Sequence, residues 1–327
     1  MPELTPSITP RVSVVIPAYG RQDWLRKAVE SLFTQDLPAG EYEIIVVDSS
    51  LDETNGVMLA AMRRNAPCSL RCLRKKPEGP GPSRTMGFRN ALAPIIAFID
   101  SDCEASASWL RNGLAAFEDG IGVVQGCTLP DPKGRISTFS HFVMIEKEDA
   151  FYQTANIFYR KEALEQAGGF AADLTPLSNH PTGGEDTETA WAVIRLGWKT
   201  RFSADALVYH AIVPARWWQW FVIKNFVCIP RLTRRFPEFR RYLYRHYFFD
   251  KGQALVVLAL CGLAAAPLWS PLALVLVLPY AVFRASEPTR SLGGILRPVR
   301  IAPYFVRDCI SLCIFAAASL RYGSLVL

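Results

Sequence analysis

Two carboxylates one residue apart, Asp100 and Asp102, carry the first chemical signal in this sequence. They follow residues 95–99, a short apolar run that is typical of a buried parallel strand. In an open α/β sheet, ligands bind outside the carboxyl ends of the strands, so both acids are expected at a binding edge. Close carboxylates repel each other, and a hard divalent cation bridging to a diphosphate relieves that repulsion. Taken alone, an Asp-x-Asp after a strand is also common turn chemistry.

A second acidic pair, Glu185 and Asp186, directly follows two glycines in the segment 182–188. This pattern predicts a flexible loop that delivers both acids to the start of a helix over 187–196. Acids at a helix start are favoured by the helix dipole, so capping explains the pair as well as catalysis does. His210 ends a further apolar strand, where a structural role and contact with a metal or diphosphate are both compatible with its position.

The elements that must position these residues alternate between strands and helices. Residues 12–19 read as a strand closed by Pro17, and residues 42–47 as a second strand that ends on Asp48. Each is followed by a helical pattern, which indicates a parallel, nucleotide-binding sheet. Residues 79–84 read as a Gly/Pro loop that carries Arg84 towards an anionic ligand, before a helix over 85–93. A dinucleotide-binding domain would need G-x-G-x-x-G after the first strand, where this chain has a single glycine.

Over residues 11–211 the chain resembles the family-2 glycosyltransferases, whose fold is the GT-A fold. The pieces that carry the resemblance occur in the family's order. They are Val14-Val-Ile-Pro-Ala-Tyr19, Ile44-Ile-Val-Val-Asp48, Ser83-Arg84 with Asn90-Ala91, Asp100-Ser-Asp102, residues 156–170, Glu185-Asp186 and Val208-Tyr-His210. The family often has Asn or Asp where this chain has Gly20, and residues 79–82 are unusually rich in proline for that loop. The expected fold is therefore a mostly parallel α/β sheet flanked by helices, with C-terminal interfacial and membrane helices.

The resemblance implies a role for each of these residues. Pro17, Tyr19 and Asp48 would hold the nucleotide base, and Arg84 would face the nucleotide or diphosphate. Asp100 and Ser101 would contact the donor, with Asp100 at the ribose or the metal. Asp102, Asp100 and His210 would hold Mg²⁺ or Mn²⁺, which neutralises the leaving nucleoside diphosphate. Asp186 would be the general base beside Glu185, because desolvation and an acidic neighbour raise a carboxyl pKa.

Composition points to a membrane partner. The 327 residues carry a net charge of +6 and are 50% hydrophobic, and the apolar excess lies mostly beyond residue 250. An arginine cluster precedes that region and favours contact with anionic lipid headgroups; its members are Arg231, Arg234, Arg235, Arg240, Arg241 and Arg245. No recognition motif accompanies them, which disfavours nucleic-acid binding. The eight scattered cysteines fit reduced thiols facing a cytosol, and the first ten residues do not resemble a signal peptide.

The C-terminal third is predicted to embed in a membrane. Between residues 214 and 249, aromatic residues mix with arginines, which suits the headgroup interface, although an ordinary packed helix pair fits as well. Residues 253–283 are uncharged except at their edges and are interrupted by Pro267 and Pro271. Each arm is about 20 Å long as a helix, short of the ~30 Å hydrocarbon core. A third apolar run covers residues 309–320.

We therefore expect a leader over 1–10, a GT-A domain over 11–213, interfacial helices over 214–252 and a membrane-embedded region over 253–327. The expected reaction is an inverting transfer from a UDP- or GDP-linked sugar to a hydroxyl of a lipid-linked glycan or other glycan. A polyprenyl-phosphate glycosyltransferase is the alternative, since a phosphate acceptor needs no base. A non-enzymatic scaffold is disfavoured because all the acids are present. Positive charge on both flanks of residues 253–283 predicts a hairpin, with the catalytic domain facing the cytoplasm and a bacterial inner membrane as the expected location.

Overall fold

The computed structural model describes residues 9–136, 140–170, 183–214, 216, 218, 227–286, 299 and 301–327. The chain forms two compact units. The first comprises residues 1–135, 142–181 and 185–213, and the second comprises residues 136–141, 182–184 and 214–327. Four aromatic residues of the predicted interfacial region lie outside the described residues, namely Trp217, Trp220, Phe221 and Phe226.

An eight-stranded mixed sheet forms the centre of the first unit. Its strands are β1 (Val12–Ala18), β2 (Tyr42–Asp48), β3 (Ser69–Arg74), β4 (Ile95–Ile99), β5 (Cys103–Ala105), β6 (Ile121–Pro130), β7 (Asn156–Arg160) and β8 (Lys199–His210). The strand order is β3-β2-β1-β4-β7-β6-β8-β5. The β3-β2-β1-β4 half is parallel, as the sequence predicts. Strand β7 is antiparallel to both neighbours, β6 and β8 are parallel, and β5 is antiparallel to β8.

Helices cover both faces of this sheet. In the first unit they are α1 (Gln22–Phe33), α2 (Thr54–Arg63), α3 (Pro80–Arg89), α4 (Trp109–Ala115), α5 (Lys161–Gln166) and α6 (Glu185–Arg195). Val12, Val14 and Ile16 of β1 belong to one buried cluster with apolar residues of α1, whereas Val15 belongs to the cluster on the opposite face. Since helices cover both faces, nearly every β1 residue is buried, which explains its continuous apolar run.

Helix α3 begins earlier than the sequence predicts. The expected Gly/Pro loop over 79–84 is wrong, because the helix starts at Pro80 and ends at Arg89. Proline is suited to the first helical position, where its missing N–H is not needed. Gly79 precedes it with φ 95°, a left-handed value that only glycine adopts readily. As a result, Arg84 is held on a helix and buried, rather than carried on a flexible loop.

The second unit is helical. It contains α7 (Cys228–Arg235), α8 (Lys251–Ala265), α9 (Leu278–Ser286) and α10 (Ile301–Tyr322), with 3₁₀ segments at Pro237–Tyr242 and Pro271–Val277. The predicted apolar run over 309–320 is part of a longer helix, because α10 continues through Arg307 and Asp308. The Asp308 carboxylate is buried and paired with Arg284, which permits an acid within this helix. In the described part of the chain, α10 is the one helix whose length and composition would allow a membrane crossing.

Candidate active site

The loop between β4 and β5 brings Asp102 to His210. Strand β5 pairs with the end of β8, so that Cys103 lies opposite His210, and Ala211 N donates to the Asp102 carbonyl at 2.8 Å. His210 Nε2 consequently lies 3.6 Å from Asp102 Oδ1. His210 Nδ1 contacts the Ala211 carbonyl oxygen at 2.7 Å. That oxygen can only accept, so we place the ring proton on Nδ1 and direct the basic Nε2 at Asp102.

The Asp102–His210 pair has the donor atoms that a divalent cation needs. One ligand atom from each of Asp102, Cys103 and His210 lies within 4.8 Å of the other two. Burial raises the pKa of Asp102, the nearby Asp100 raises it further, and His210 and Arg21 oppose this. A bound cation would favour the ionised carboxylate, and carboxylate oxygen with imidazole nitrogen suits Mn²⁺. Burial raises the pKa of the Cys103 thiol well above its usual range, so the thiolate that binds metals is disfavoured.

Arg84 connects the two acidic pairs. Its Nη2 donates to Asp100 Oδ1 at 3.0 Å, and its Nη1 donates to Glu185 Oε1 at 2.9 Å. The guanidinium also lies 5.9 Å from the Phe170 ring centroid, and its buried Nε has no hydrogen-bond partner among the described residues. The sequence predicts that Asp100 helps hold the metal and that Arg84 faces the diphosphate. In the structure, Asp100 and Arg84 bond to each other.

Asp186 lies beside this connection, in the first turn of α6. Its Oδ1 accepts from Thr187 N at 2.8 Å. Burial and then the charge of Glu185 raise the pKa of Asp186 to about 7, with Arg84 and the Thr187 N–H acting in the opposite direction. A carboxyl that titrates near neutral pH can accept a proton from a hydroxyl and later release it, as a general base must.

A cavity of about 710 Å³ opens at this edge of the sheet. Its lining includes six of the residues predicted to bind donor or metal: Pro17, Tyr19, Arg84, Asp100, Ser101 and Asp102. The Tyr19 side chain is 56% exposed, which leaves a ring face open to a planar ligand. The structure thus brings together residues that are up to 85 positions apart in the chain (Pro17 and Asp102).

The predicted contact of Asp48 with the nucleotide base stays a prediction. Its side chain is fully buried, and the next residue, Ser49, lines the cavity. One carboxylate oxygen accepts from Ser50 and from Asn55 Nδ2, and the other pairs with Arg74. In this arrangement Asp48 anchors the ends of β2 and β3.

Arg21 is a cavity residue that sequence reasoning missed. It lines the cavity, pairs with Asp102 Oδ2 at 3.0 Å and stacks over the Trp24 ring at 4.8 Å. Gly20 and Arg21 have φ values of 60° and 51°, and this left-handed turn directs the chain into α1. Such a conformation is uncommon for a residue other than glycine and is concentrated at functional sites. The sequence carried one signal for this turn, namely Gly20, which stands where the family often has Asn or Asp. Gly20 supplies the first of the two left-handed residues.

Two family models match the chain. The model for glycosyl transferase family 2 matches residues 13–172, and the model for glycosyl transferase family group 2 matches residues 95–288. Together the two matches cover both acidic pairs, Asp100/Asp102 and Glu185/Asp186, and extend through helices α8 and α9.

Two curated relatives align with the catalytic part. The chain is 27% identical to the glycosyltransferase AglE of Haloferax volcanii over 221 residues, which is 64% of this chain and 69% of that protein. It is 28% identical to the GalNAc(5)-diNAcBac-PP-undecaprenol beta-1,3-glucosyltransferase of Campylobacter jejuni, over 39% of this chain and 41% of that protein. Several longer relatives are matched over only 13–19% of their length.

A solved structure shares the architecture. The mannosyltransferase PcManGT of Pyrobaculum calidifontis, in complex with GDP-Man and Mn²⁺, superposes with a TM-score of 0.57 at 18% identity. The match covers 96% of this chain and 87% of that chain. At this identity the likeness shows the fold, and it confirms the GT-A fold expected from the sequence.

Proposed function

Because the chain belongs to the family-2 glycosyltransferases, we propose that it moves a sugar from a nucleotide-diphosphate sugar to an acceptor hydroxyl with inversion at the anomeric carbon. The donor occupies the cavity of about 710 Å³, with its nucleoside over Tyr19 and Pro17 and its diphosphate near Ser101 and Asp102. The acceptor approaches on the side of Asp186. One oxygen attacks as the diphosphate departs, so a single base is needed.

One observation carries this proposal, namely the Arg84 guanidinium that joins Asp100 to Glu185 within 3.0 Å on each side. Through it, the loop that binds the donor and the helix that carries Asp186 are fixed to one buried side chain. A displacement requires nucleophile and leaving group to be held in line, and a rigid connection of this kind supplies that positioning.

Asp186 and Glu185 have different parts in this scheme. The Glu185 carboxylate is occupied by Arg84, whereas Asp186 has a pKa of about 7 and, within the part of the chain that the structure describes, accepts hydrogen bonds from Thr187 alone. Asp186 therefore takes the acceptor proton. Glu185 raises the pKa of Asp186 through its charge and positions Arg84.

Asp102 Oδ1 and His210 Nε2 would hold a divalent cation, Mn²⁺ or Mg²⁺, whose chemistry is to neutralise the charge of the leaving diphosphate. Their separation of 3.6 Å suits two ligands of one ion. Arg21 supplies a second positive charge at the same end of the cavity. The Mn²⁺ bound to PcManGT supports this assignment.

The acceptor is proposed to be a lipid-linked glycan at the cytoplasmic face of a membrane. The apolar second unit supports this location, and so does the undecaprenol-linked substrate in the name of the Campylobacter jejuni relative. The arginines that precede α8 favour the cytoplasmic side.

The donor is tested by thermal shift of the full-length protein against a panel of UDP- and GDP-sugars, with Mn²⁺, Mg²⁺ or EDTA. We expect a shift that requires both a nucleotide sugar and a cation. Asp102→Ala should abolish the cation-dependent part, whereas Asp119→Ala, which removes an exposed acid, should retain it. Equal binding with and without EDTA in all three proteins would contradict the metal assignment.

The chemistry is tested by Asp186→Asn. Turnover should fall by roughly 10²–10⁴-fold, the range for loss of a general base, while the donor dissociation constant stays unchanged. Asp205→Asn at an exposed position is the matched control. Near-normal turnover of Asp186→Asn would instead favour transfer to a polyprenyl phosphate, which needs no base.

A further inference from the structure

The second unit contains an apolar hairpin formed by α8, the 3₁₀ segment Pro271–Val277 and α9. Its tip carries large apolar side chains that are largely exposed: Leu268 at 73%, Trp269 at 85% and Leu272 at 79%. No Lys, Arg, Asp or Glu occurs between Gln253 and Phe283. The arms pack closely, because a Cβ at Gly262 would lie 2.7 Å from the Ala273 carbonyl oxygen. The hairpin is therefore one element rather than two independent spans.

A charged layer closes the base of this hairpin. The Asp308 carboxylate accepts from Tyr280 Oη at 2.7 Å and from Arg284 Nε at 3.0 Å. A Cβ at Gly252 would lie 2.3 Å from Arg284 Nη2, so the start of α8 is at the same level. Beyond this layer, towards the tip, Ile301 and Phe305 pack with Val256, Ala259 and Tyr280. Only the first turns of α10 therefore accompany the hairpin on its apolar side.

The rest of α10, beyond Asp308, extends away from the tip of the hairpin. Its end and the tail after it bond to other parts of the second unit. Phe315 stacks on Phe249 at 5.5 Å. Past the end of the helix, Ser324 Oγ bonds with Thr233 Oγ1 and with Arg240 Nη2, each at 2.8 Å. Leu327 then exchanges backbone hydrogen bonds with the 247–249 segment, with Leu327 N donating to Tyr247 O and Phe249 N donating to Leu327 O.

These contacts are incompatible with α10 as a membrane crossing. If α10 crossed the bilayer, its C-terminal end would lie on the opposite side from the charged layer at Asp308. Arg240 and residues 247–249 are bonded to the tail after that end, so they would have to lie on the opposite side as well. Residues 234–251 also include five exposed cations, which such a crossing would carry across the bilayer or place near its hydrocarbon. They are Arg234, Arg235, Arg241, Arg245 and Lys251. Burying such charges in hydrocarbon is expensive.

We propose that the hairpin 251–286 is a monotopic anchor that inserts into an anionic bilayer from one side without crossing it, with the C-terminal two thirds of α10 outside the hydrocarbon. The 15 residues of α8 extend about 22 Å, enough to reach from the headgroups past the middle of a ~30 Å core but not to cross it. Lys251 is an exposed cation at the start of α8, and exposed Arg241, Arg245, Tyr242, Tyr244 and Tyr247 lie in the ten residues before it. Cations and tyrosines together suit the headgroup interface of an anionic bilayer. The anchor is independent of the proposed sugar transfer, and its test needs no activity.

Two native cysteines report the depth of each helix. Cys261 on α8 and Cys313 on α10 are both exposed in the protein. The full-length protein is bound to vesicles of phosphatidylglycerol and phosphatidylcholine and treated with an impermeant maleimide. Replacement of Cys68, Cys72, Cys309 and Cys313 by Ser leaves Cys261 as the one cysteine that is not buried, and replacement of Cys68, Cys72, Cys261 and Cys309 by Ser leaves Cys313. We expect Cys313 to react and Cys261 to react only after detergent is added. Protection of both would mean that α10 crosses the bilayer and would overturn the proposal.

Flotation with the same vesicles tests the tip. Leu268, Trp269 and Leu272 are replaced together by Ser, and the bound fraction should fall by at least about tenfold, since the apolar area that inserts is lost. The matched control replaces three exposed apolar residues of the first unit by Ser, namely Val57, Leu92 and Leu196, and should bind as the wild type does. Equal binding of both variants would contradict the anchor, and self-association of the wild type that the tip variant abolishes, without vesicle binding, would indicate a second copy instead.

Discussion

At the residue scale, the active-site acids differ in what surrounds them rather than in their type. Asp100 and Glu185 share one buried cation, whereas among the described residues Asp186 accepts hydrogen bonds from the backbone N–H and hydroxyl of Thr187 and has Glu185 as a negative neighbour. Burial and the charge of Glu185 raise the pKa of Asp186 to about 7. A carboxyl whose surroundings raise its pKa towards neutral pH is suited to exchange a proton, which is the role we propose for Asp186.

The rate should therefore depend on the ionisation of Asp186. Its pKa is raised, so the carboxyl is protonated below about pH 7 and cannot accept a proton. At saturating donor and Mn²⁺, kcat is expected to fall about tenfold for each pH unit below that value. Glu185→Gln removes the neighbouring charge and should move this limb to lower pH, whereas Asp205→Asn should leave it in place. A profile that is flat between pH 5 and pH 8 would falsify the assignment of Asp186.

Arg21 should contribute to donor binding and little to stability. Its ion pair with Asp102 is half exposed on the arginine side, and such pairs add little to folding. Facing a diphosphate, its charge-assisted hydrogen bonds would be worth about 1.5–3 kcal/mol, or roughly 10–100-fold in the dissociation constant. Arg21→Ala is expected to weaken nucleotide-diphosphate binding by that factor in calorimetry with Mn²⁺ present. Arg26→Ala, on the exposed face of α1, should bind normally. Equal affinities would remove Arg21 from the donor site.

Single-residue roles were the hardest part to predict. The spacing of Asp100 and Asp102 indicated a site, since acids after a buried strand must lie at a sheet edge. The partners of Asp48 and Arg84 were not predictable, because Arg74, Asn55 and Glu185 reach them through tertiary contacts that no local pattern encodes. The full burial of the Asp48 side chain follows from those contacts.

At the element scale, the apolar runs predicted the parallel half of the sheet well. Strands β1, β2 and β4 are buried on both faces, and this produces the continuous runs of Val and Ile. The apolar pattern that ends on His210 predicts a strand from Ala206 only, whereas β8 begins at Lys199. Residues 199–205 are mostly polar and partly exposed, and their strand conformation comes from pairing with β6. The three-residue β5 is likewise defined by its partner β8.

Helix α3 packs so closely on β1 that one glycine is required. A Cβ at Gly87 would lie 2.3 Å from Val15 Cγ1. Gly87→Ala should therefore destabilise the protein by about 1–3 kcal/mol through overpacking. Gly56→Ala in α2 is the control, because its Cβ would lie 3.4 Å from the mobile end of Glu53. There the change should stabilise by up to about 1 kcal/mol. Urea unfolding of both variants measures the difference, and equal midpoints would contradict this packing argument.

At the scale of the whole molecule, the sequence predicted a catalytic unit and an apolar unit but not the course of the latter. Hydropathy ranks α10 as a membrane span, because it averages over Arg307 and Asp308. The bonds that Arg284, Thr233 and Arg240 make with α10 and the tail depend on residues up to 91 positions away. Tertiary pairing, rather than composition, determines which part of this helix can contact lipid.

The orientation of the whole protein is the remaining prediction. Arginines on both sides of the hairpin favour the cytoplasmic face, because positively charged flanks are retained there. A cysteine at the exposed position Ala60 on α2, combined with Cys72→Ser, Cys261→Ser and Cys313→Ser, reports the side on which the catalytic unit lies. In bacterial cells, an impermeant maleimide should label Ala60→Cys in inverted membrane vesicles and not in intact spheroplasts. Asp119→Cys, at a second exposed position, should behave identically. Labelling of either position from outside intact spheroplasts would place the catalytic unit on the opposite face, where cytoplasmic nucleotide sugars could not reach it.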